Sequence, residues 1–210
     1  VTIAYLSYTE HTNGIPQNSS MQANVIYTSQ TDVIEQQVKA ARQLADFVVV
    51  GVHWGVENSH TVVDAQRALA QSLADWGADL IIGTHPHVLQ NTQWLTAADG
   101  RQVFTAYSLG NFISTQEKPD QLIGAILSVQ LEKTTELDGT VRCSVLSPRL
   151  LPTVTHYDAG KSNVRTYLFR DYTEALTKSH GVRQAYPDFS LEMIQSIARE
   201  NIDPEFLQLT

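Results

Sequence analysis

Three short apolar runs in the first half of the chain are typical of β-strands. Residues 47–52 form a continuous apolar run rich in β-branched side chains, which indicates a strand buried on both faces. Residues 79–82 and 1–8 are also mainly apolar, and neither run is longer than eight residues. Runs of this length are shorter than ordinary helices, so each is predicted to be a strand.

Between these runs, apolar residues recur every three or four positions. This spacing predicts helices over residues 32–45 and 65–76. Asp32, with Glu35 three residues later, is the predicted N-cap of the first helix, and Gly77 is predicted to end the second. The order strand, helix, strand, helix, strand predicts parallel strands joined by right-handed crossovers.

The rest of the chain has a different pattern. Polar residues 9–20, which include an Asn-Gly pair and Pro16, predict a loop. Alternating segments later in the chain predict antiparallel strands, two of them joined by an Asp-Gly turn, and periodic segments near the end predict helices. The predicted strands are 91–95, 102–108, 123–131 and 141–146, and the predicted helical segments are 167–176 and 191–198.

Charge and cysteine content exclude several classes of function. The chain has 14 Lys and Arg against 22 Asp and Glu, a formal net charge of -8, with no basic cluster, which argues against nucleic acid as a partner. The single cysteine, Cys143, excludes an internal disulfide and a thiolate-rich metal site. No apolar run approaches the roughly 20 residues of a membrane span. The chain opens in a strand without an initiating Met, so we expect a preceding segment.

Three histidines directly follow two of the predicted buried strands. His53 ends the run over 47–52, and His85 and His87 come just after the run over 79–82. In parallel sheets, ligand sites collect outside the carboxyl ends of the strands. Because imidazole is the commonest side-chain ligand of first-row metals, these three residues together predict a metal site. The remaining histidines are expected to have structural roles: His11, His60, His156 and His180.

Two further polar residues lie near this predicted site. Glu57 follows His53 by four residues in a loop, where it either orients an imidazole, contacts substrate or is simply solvated. Asn111 follows the strand predicted over 102–108 and either faces the site or forms a structural turn. The residue pattern alone leaves these alternatives open.

Several short motifs together resemble the bacterial capsule and poly-gamma-glutamate biosynthesis (CapA) family. They occur in the family's order between residues 1 and 132. The motifs are Tyr8-Thr9, Thr12-Asn13-Gly14-Ile15-Pro16, His53-Trp54-Gly55-Val56-Glu57, Gly77-Ala78-Asp79, Gly83-Thr84-His85-Pro86-His87-Val88-Leu89-Gln90 and Tyr107-Ser108-Leu109-Gly110-Asn111-Phe112-Ile113.

The resemblance implies an α/β fold, the C-terminal part of a calcineurin-like metallophosphoesterase sandwich with a mixed sheet flanked by helices. It also implies two divalent metal ions (Mn, Fe or Zn), with His53 and His85 on one ion, His87 on the other, and Glu57 and Asn111 as catalytic residues beside them. The family's earlier Gly-Asp, Asn-Leu-Glu and Asn-Asn-His motifs do not occur in this sequence. The resemblance therefore assigns the bridging carboxylate to the upstream half of the same domain.

The implied function is that of a metal-dependent phosphoesterase-like hydrolase in the synthesis of a cell-envelope polymer, at the extracellular face. The implied partner is an anionic envelope polymer or its precursor. Two alternatives are a non-catalytic component that assembles or anchors the polymer, and a zinc amidase that cleaves gamma-glutamyl bonds. Residues 1–155 are expected to form the metallophosphoesterase part and residues 156–210 a helical extension packed on it.

Overall fold

Residues 1–14 and 24–210 are described by a computed structural model of the chain. The end of the loop predicted over 9–20, including Ile15 and Pro16, therefore lies outside the described residues. The described residues form eight strands and four α-helices. The strands are β1 (Ile3–Thr9), β2 (Phe47–His53), β3 (Leu80–Thr84), β4 (Leu89–Thr96), β5 (Gln102–Leu109), β6 (Ile123–Thr135), β7 (Val141–Asp158) and β8 (Ser162–Leu168), and the helices are α1 (Thr31–Leu44), α2 (Asp64–Trp76), α3 (Glu174–Ser179) and α4 (Leu191–Asn201).

The strands form two sheets. The first has the order β1-β2-β3-β5-β4, in which β1, β2, β3 and β5 are parallel and β4 is antiparallel to β5. The second contains β6, β7 and β8, all antiparallel. The predicted α/β class, with a mixed sheet flanked by helices, is confirmed, and it is consistent with a metallophosphoesterase-like domain.

Each face of the first sheet has its own apolar core. Helices α1 and α2 pack on one face, where Ile34 and Leu73 contact the core around Val48 and Val50. The opposite face packs against the second sheet and the C-terminal segment, with residues such as Phe104 at the centre. Alternation of side chains along each buried strand therefore fills both cores, as the continuous apolar runs predict.

The second sheet leaves one strip of the first sheet uncovered. Ile3 and Tyr5 of β1 pair with Phe47 and Val49 of β2, so these four side chains point to the same face. Phe47 and Val49 are 0% and 7% exposed, whereas Ile3 and Tyr5 are 55% and 64% exposed. The second sheet thus covers this face at β2 but not at the edge strand β1.

A buried carboxylate anchors the end of the first sheet that lies opposite the carboxyl ends of its strands. Asp79 precedes β3, and its Oδ2 accepts hydrogen bonds from Arg42 Nη1 at 2.6 Å and from the Val48 N–H at 2.7 Å. Its Oδ1 lies 3.3 Å from Arg101 Nη1. Two guanidinium groups and one backbone amide therefore compensate the charge of Asp79, which is only 5% exposed.

Two local predictions are wrong. Residues 162–168, which overlap the helix predicted over 167–176, form β8 because Val164, Thr166 and Tyr167 favour a pleated strand and β7 offers an edge to pair with. The predicted segment otherwise contains a short 3-10 helix over Phe169–Asp171 and the first residues of α3, and α4 confirms the helix predicted over 191–198. Asp32 lies in the first turn of α1 rather than at its N-cap. The boundary predicted at residue 155 falls within β7 and stays a prediction.

None of the helices in the described part of the chain is long and apolar enough to cross a bilayer.

Candidate metal centre

The carboxyl ends of neighbouring parallel strands bring the predicted histidines together. His53 is the last residue of β2 and pairs with Thr84, the last residue of β3, so His85 emerges directly beside it. The ring centroids of His53 and His85 are 4.4 Å apart, and those of His85 and His87 are 6.0 Å apart. All three side chains therefore lie at one edge of the first sheet.

A fourth histidine, which the sequence analysis assigned a structural role, also lies in this cluster. The ring of His11 is 4.5 Å from that of His85 and 5.4 Å from that of His53. His11 follows the carboxyl end of β1, which is parallel to β2. Like His53, His11 follows the carboxyl end of a parallel strand, and this position is the sequence signal for its place in the cluster.

Two groups of side chains have potential ligand atoms that all lie within 4.8 Å of one another. One group is His11, His53 and His85, and the other is Glu57, His85 and His87. Glu57, predicted from its motif, thus approaches two of the histidines. Imidazole nitrogens and a carboxylate oxygen are donors that suit zinc and other first-row divalent ions.

The hydrogen bonds around His53 determine which of its nitrogens is free. The Thr9 hydroxyl donates to the carbonyl oxygen of His11 at 2.7 Å, so its oxygen must accept from His53 Nδ1, 3.1 Å away. The proton of neutral His53 is therefore on Nδ1. Its Nε2 keeps a lone pair that is available to a metal ion.

Asn111 fixes His87 in the same way. The two N–H groups of the Asn111 amide share three acceptors, which are Gln116 Oε1 at 2.7 Å and the carbonyl oxygens of Gln121 at 2.9 Å and His87 at 3.2 Å. Its Oδ1 is therefore the acceptor for His87 Nδ1, 2.9 Å away, which leaves Nε2 of His87 as the lone-pair nitrogen. The Asn111 amide therefore fixes the His87 ring through Nδ1, on the side of the ring away from Nε2, and also holds the following loop.

The backbone at His85 and His87 adopts conformations that L-residues rarely take. φ is +100° at His85 and +62° at His87. Non-glycine residues with such angles are held there at a cost and cluster at functional sites. His85 is also only 8% exposed, and its imidazole has no hydrogen bond to any residue within 1–14 and 24–210.

Burial affects the protonation of the cluster. The pKa of His53 is lowered by burial and further by the nearby His11 and His87. The pKa of His85 is lowered by burial and by His53 and His11. Both imidazoles are therefore neutral at neutral pH, which is the form that binds metal ions.

The loop that carries Glu57 is attached to the turn containing the two histidines. The N–H of Asn58 donates to the carbonyl oxygen of Pro86 at 2.7 Å, and the Asn58 side chain accepts from Gln121 Nε2 at 2.5 Å. These contacts hold the residue next to Glu57. A cavity of about 600 Å³ opens beside the cluster, with His11 and His53 in its wall.

The other three histidines have structural contacts, and neither group of potential ligands includes them. His60 Nδ1 is 2.7 Å from the carbonyl oxygen of Leu89. His156 is buried with its Nδ1 2.8 Å from the Tyr172 hydroxyl. His180 Nδ1 accepts from the Val182 N–H at 2.9 Å, so its Nε2 donates to the Thr155 carbonyl at 2.9 Å.

Comparison with known proteins identifies the family to which this chain belongs. Residues 1–116, more than half of the chain, match the family described as "Bacterial capsule synthesis protein PGA_cap". The chain belongs to this capsule synthesis family. The match to the PGA_cap family includes β1 to β5 and all four histidines of the cluster.

Two relatives illustrate how much of a PGA_cap protein this chain represents. It is 34% identical over 145 residues to "PGA biosynthesis protein CapA" of Bacillus subtilis. The aligned residues are 69% of this chain and 36% of that protein. It is 42% identical over 89 residues to "Capsule biosynthesis protein CapA" of Bacillus anthracis. The aligned residues are 40% of this chain and 20% of that protein. The matched part thus spans about a third of the first relative's length.

Proposed function

We propose that this chain carries the histidine-rich part of a metal-dependent hydrolase centre that acts on a phosphoester or related bond in a cell-envelope polymer or its precursor. The observation that carries the proposal is the convergence of His53, His85, His87 and Glu57 at one sheet edge. The capsule synthesis role named for the family and for both relatives supplies the class of substrate. It also supports a location at the cell envelope.

The donor set fits divalent ions. His53 and His87 each direct an unprotonated Nε2 away from the hydrogen bond that fixes the ring, and Glu57 adds a carboxylate oxygen. Such a set suits Mn, Fe or Zn, and the family resemblance implies two ions. When bound, the ions would lower the pKa of a water molecule and neutralise charge on the substrate oxygens.

The chain's own residues then have separate tasks in this proposal. Asn111 positions His87, since its amide oxygen holds the ring proton on Nδ1. Thr9 does the same for His53. The cavity beside His11 and His53 admits the substrate. Because the chain carries a net charge of -8, an anionic polymer gains little from its surface and is best attracted through bound cations.

The test is metal-dependent hydrolysis by the full-length gene product after removal and replacement of its metal. Initial rates would be measured with bis(p-nitrophenyl) phosphate and with gamma-glutamyl p-nitroanilide, each with Mn²⁺ and with Zn²⁺. We expect phosphodiester cleavage, and we expect His87→Ala to lower the rate about a hundredfold, which corresponds to a loss of about 3 kcal/mol in transition-state stabilisation. His60→Ala, with its ring bonded to a backbone carbonyl, is the matched control and should retain the wild-type rate.

Other results would identify the alternatives. Cleavage of the gamma-glutamyl amide alone, with one metal ion per chain, would indicate the zinc amidase. Binding of the polymer with no hydrolysis of either substrate would indicate a non-catalytic envelope component. Equal rate losses in His87→Ala and His60→Ala would contradict the assignment of His87.

A further inference from the structure

The imidazole of His11 completes a group of three converging imidazoles. The potential ligand nitrogens of His11, His53 and His85 all lie within 4.8 Å of one another. The ring of His11 is inclined by 66° to His53 and by 83° to His85, so the rings meet edge to face rather than stacked. Three histidine nitrogens with an open fourth position are a known ligand set of catalytic zinc.

The backbone on the N-terminal side of His11 is attached firmly to the end of β2. The N–H of Glu10 donates to the carbonyl oxygen of His53 at 2.7 Å, and the Glu10 carboxylate accepts from the Gly55 N–H at 2.8 Å. The Thr9 hydroxyl also donates to the carbonyl oxygen of His11 itself. The two bonds of Glu10 connect the residue before His11 to the end of β2, and the Thr9 bond holds the His11 carbonyl at the end of β1. The main chain on this side therefore places His11 beside His53.

His85 gives an independent reason to expect a ligand at this point. The residue is only 8% exposed and its imidazole has no hydrogen-bond partner in the described part of the chain, yet its ring nitrogens are not among the fully buried unpaired atoms. A ring nitrogen of His85 therefore reaches the surface of the cluster, where a cation can bind it. The positive φ of His85 is unfavourable for a non-glycine residue, and such conformations are retained mainly at functional sites.

We propose that His11, His53 and His85 form a zinc-selective site in which His11 is the third imidazole ligand. The proposal deepens the proposed function and rests on it for the site's catalytic use, but zinc binding itself is independent of hydrolysis. A set of nitrogen donors alone favours Zn²⁺ over Mn²⁺, which prefers carboxylate and water oxygens. His87 and Glu57 remain available to a second ion, which they can bind through one nitrogen and one oxygen donor.

The experiment measures zinc affinity directly, by competition between metal-free residues 1–210 and a chromophoric chelator. We expect His11→Ala to lower the zinc affinity at least about tenfold, the smallest loss typical for disturbing a metal site. His11→Phe keeps a ring against His85 but removes both nitrogens, and it should lower the affinity as much. His60→Ala is the matched control and should bind zinc like the wild type. Mn²⁺ affinity should change much less than zinc affinity in both His11 variants.

Cobalt provides a second measurement, because four-coordinate Co²⁺ absorbs visible light much more strongly than six-coordinate Co²⁺. The wild type should give the intense spectrum and the His11 variants the weak one. Wild-type zinc affinity in both His11 variants, or no zinc binding by the wild-type chain, would overturn the proposal. Comparing the metal-free unfolding midpoints of the two variants with the wild type separates ligand loss from unfolding. Zinc binding by residues 1–210 together with no hydrolysis by the full-length gene product would refute the proposed function while leaving this site intact.

Discussion

Acidification should destabilise this protein through His180. His180 is 2% exposed, and its Nδ1 accepts a hydrogen bond from the Val182 N–H. A proton on Nδ1 would face that donor, so the buried ring is held neutral, and burial lowers the pKa of His180 to about 4. In the unfolded chain its pKa is about 6.5.

The direction of the effect follows from the two pKa values. Between pH 6.5 and 4 the unfolded chain binds a proton at His180 that the folded protein does not bind, so stability falls as the pH decreases. A difference of about 2.5 pKa units corresponds to about 3 kcal/mol, of which about 2 kcal/mol should be lost between pH 7 and pH 4.5. Burial also lowers the pKa of His156, so this residue acts in the same direction.

Urea unfolding of the wild type and of His180→Asn at several pH values between 7 and 4.5 tests this. Asparagine can still accept from the Val182 N–H, as a helix N-cap does, but it does not titrate and leaves the Thr155 carbonyl without its donor. We expect the variant to be less stable by about 1–3 kcal/mol at pH 7. The difference should shrink by about 2 kcal/mol at pH 4.5, because only the wild type loses the His180 contribution. A difference that stays constant over this pH range would refute the reasoning.

Two further predictions concern the ends of the first sheet. Asp79→Asn should lower the free energy of unfolding by about 3–5 kcal/mol, since it leaves the guanidinium groups of Arg42 and Arg101 without their buried counter-charge. Asp99→Asn, which removes an exposed partner of Arg101, should cost less than about 1 kcal/mol in the same urea titration. His85→Gly should be more stable than His85→Ala by about 1 kcal/mol in the metal-free protein, because only glycine adopts a φ of +100° readily. The reverse order would contradict strain at His85.

The parallel half of the fold could be predicted from the sequence because its information is local. The buried strands β2 and β3 are continuous apolar runs between two amphipathic helices, and such an order leaves few arrangements. Since the carboxyl ends of parallel strands meet at one edge, the positions of His53, His85 and His87 after two of these strands were enough to predict that they converge.

The parts that could not be predicted depend on contacts outside the pattern of the segment itself. β8 forms because β7, which ends at Asp158 just before β8 begins, offers it an edge, and no periodicity within residues 162–168 reveals that edge. The role of Asn111 depends on its amide reaching His87, 24 positions away. The position of His11 beside His53 depends on the parallel pairing of β1 with β2, which the loop sequence around His11 does not reveal.

The uncovered strip on β1 has a practical consequence for anyone who handles this chain. Ile3 and Tyr5 form an apolar row on an edge strand of the first sheet. The backbone groups of an edge strand are a template onto which other chains can add strands, and exposed apolar side chains favour such contacts, so concentrated solutions should be prone to self-association and precipitation. The substitution Tyr5→Lys would place a charge among these exposed apolar side chains and should oppose self-association. It changes no residue of the histidine cluster at the carboxyl end of the sheet.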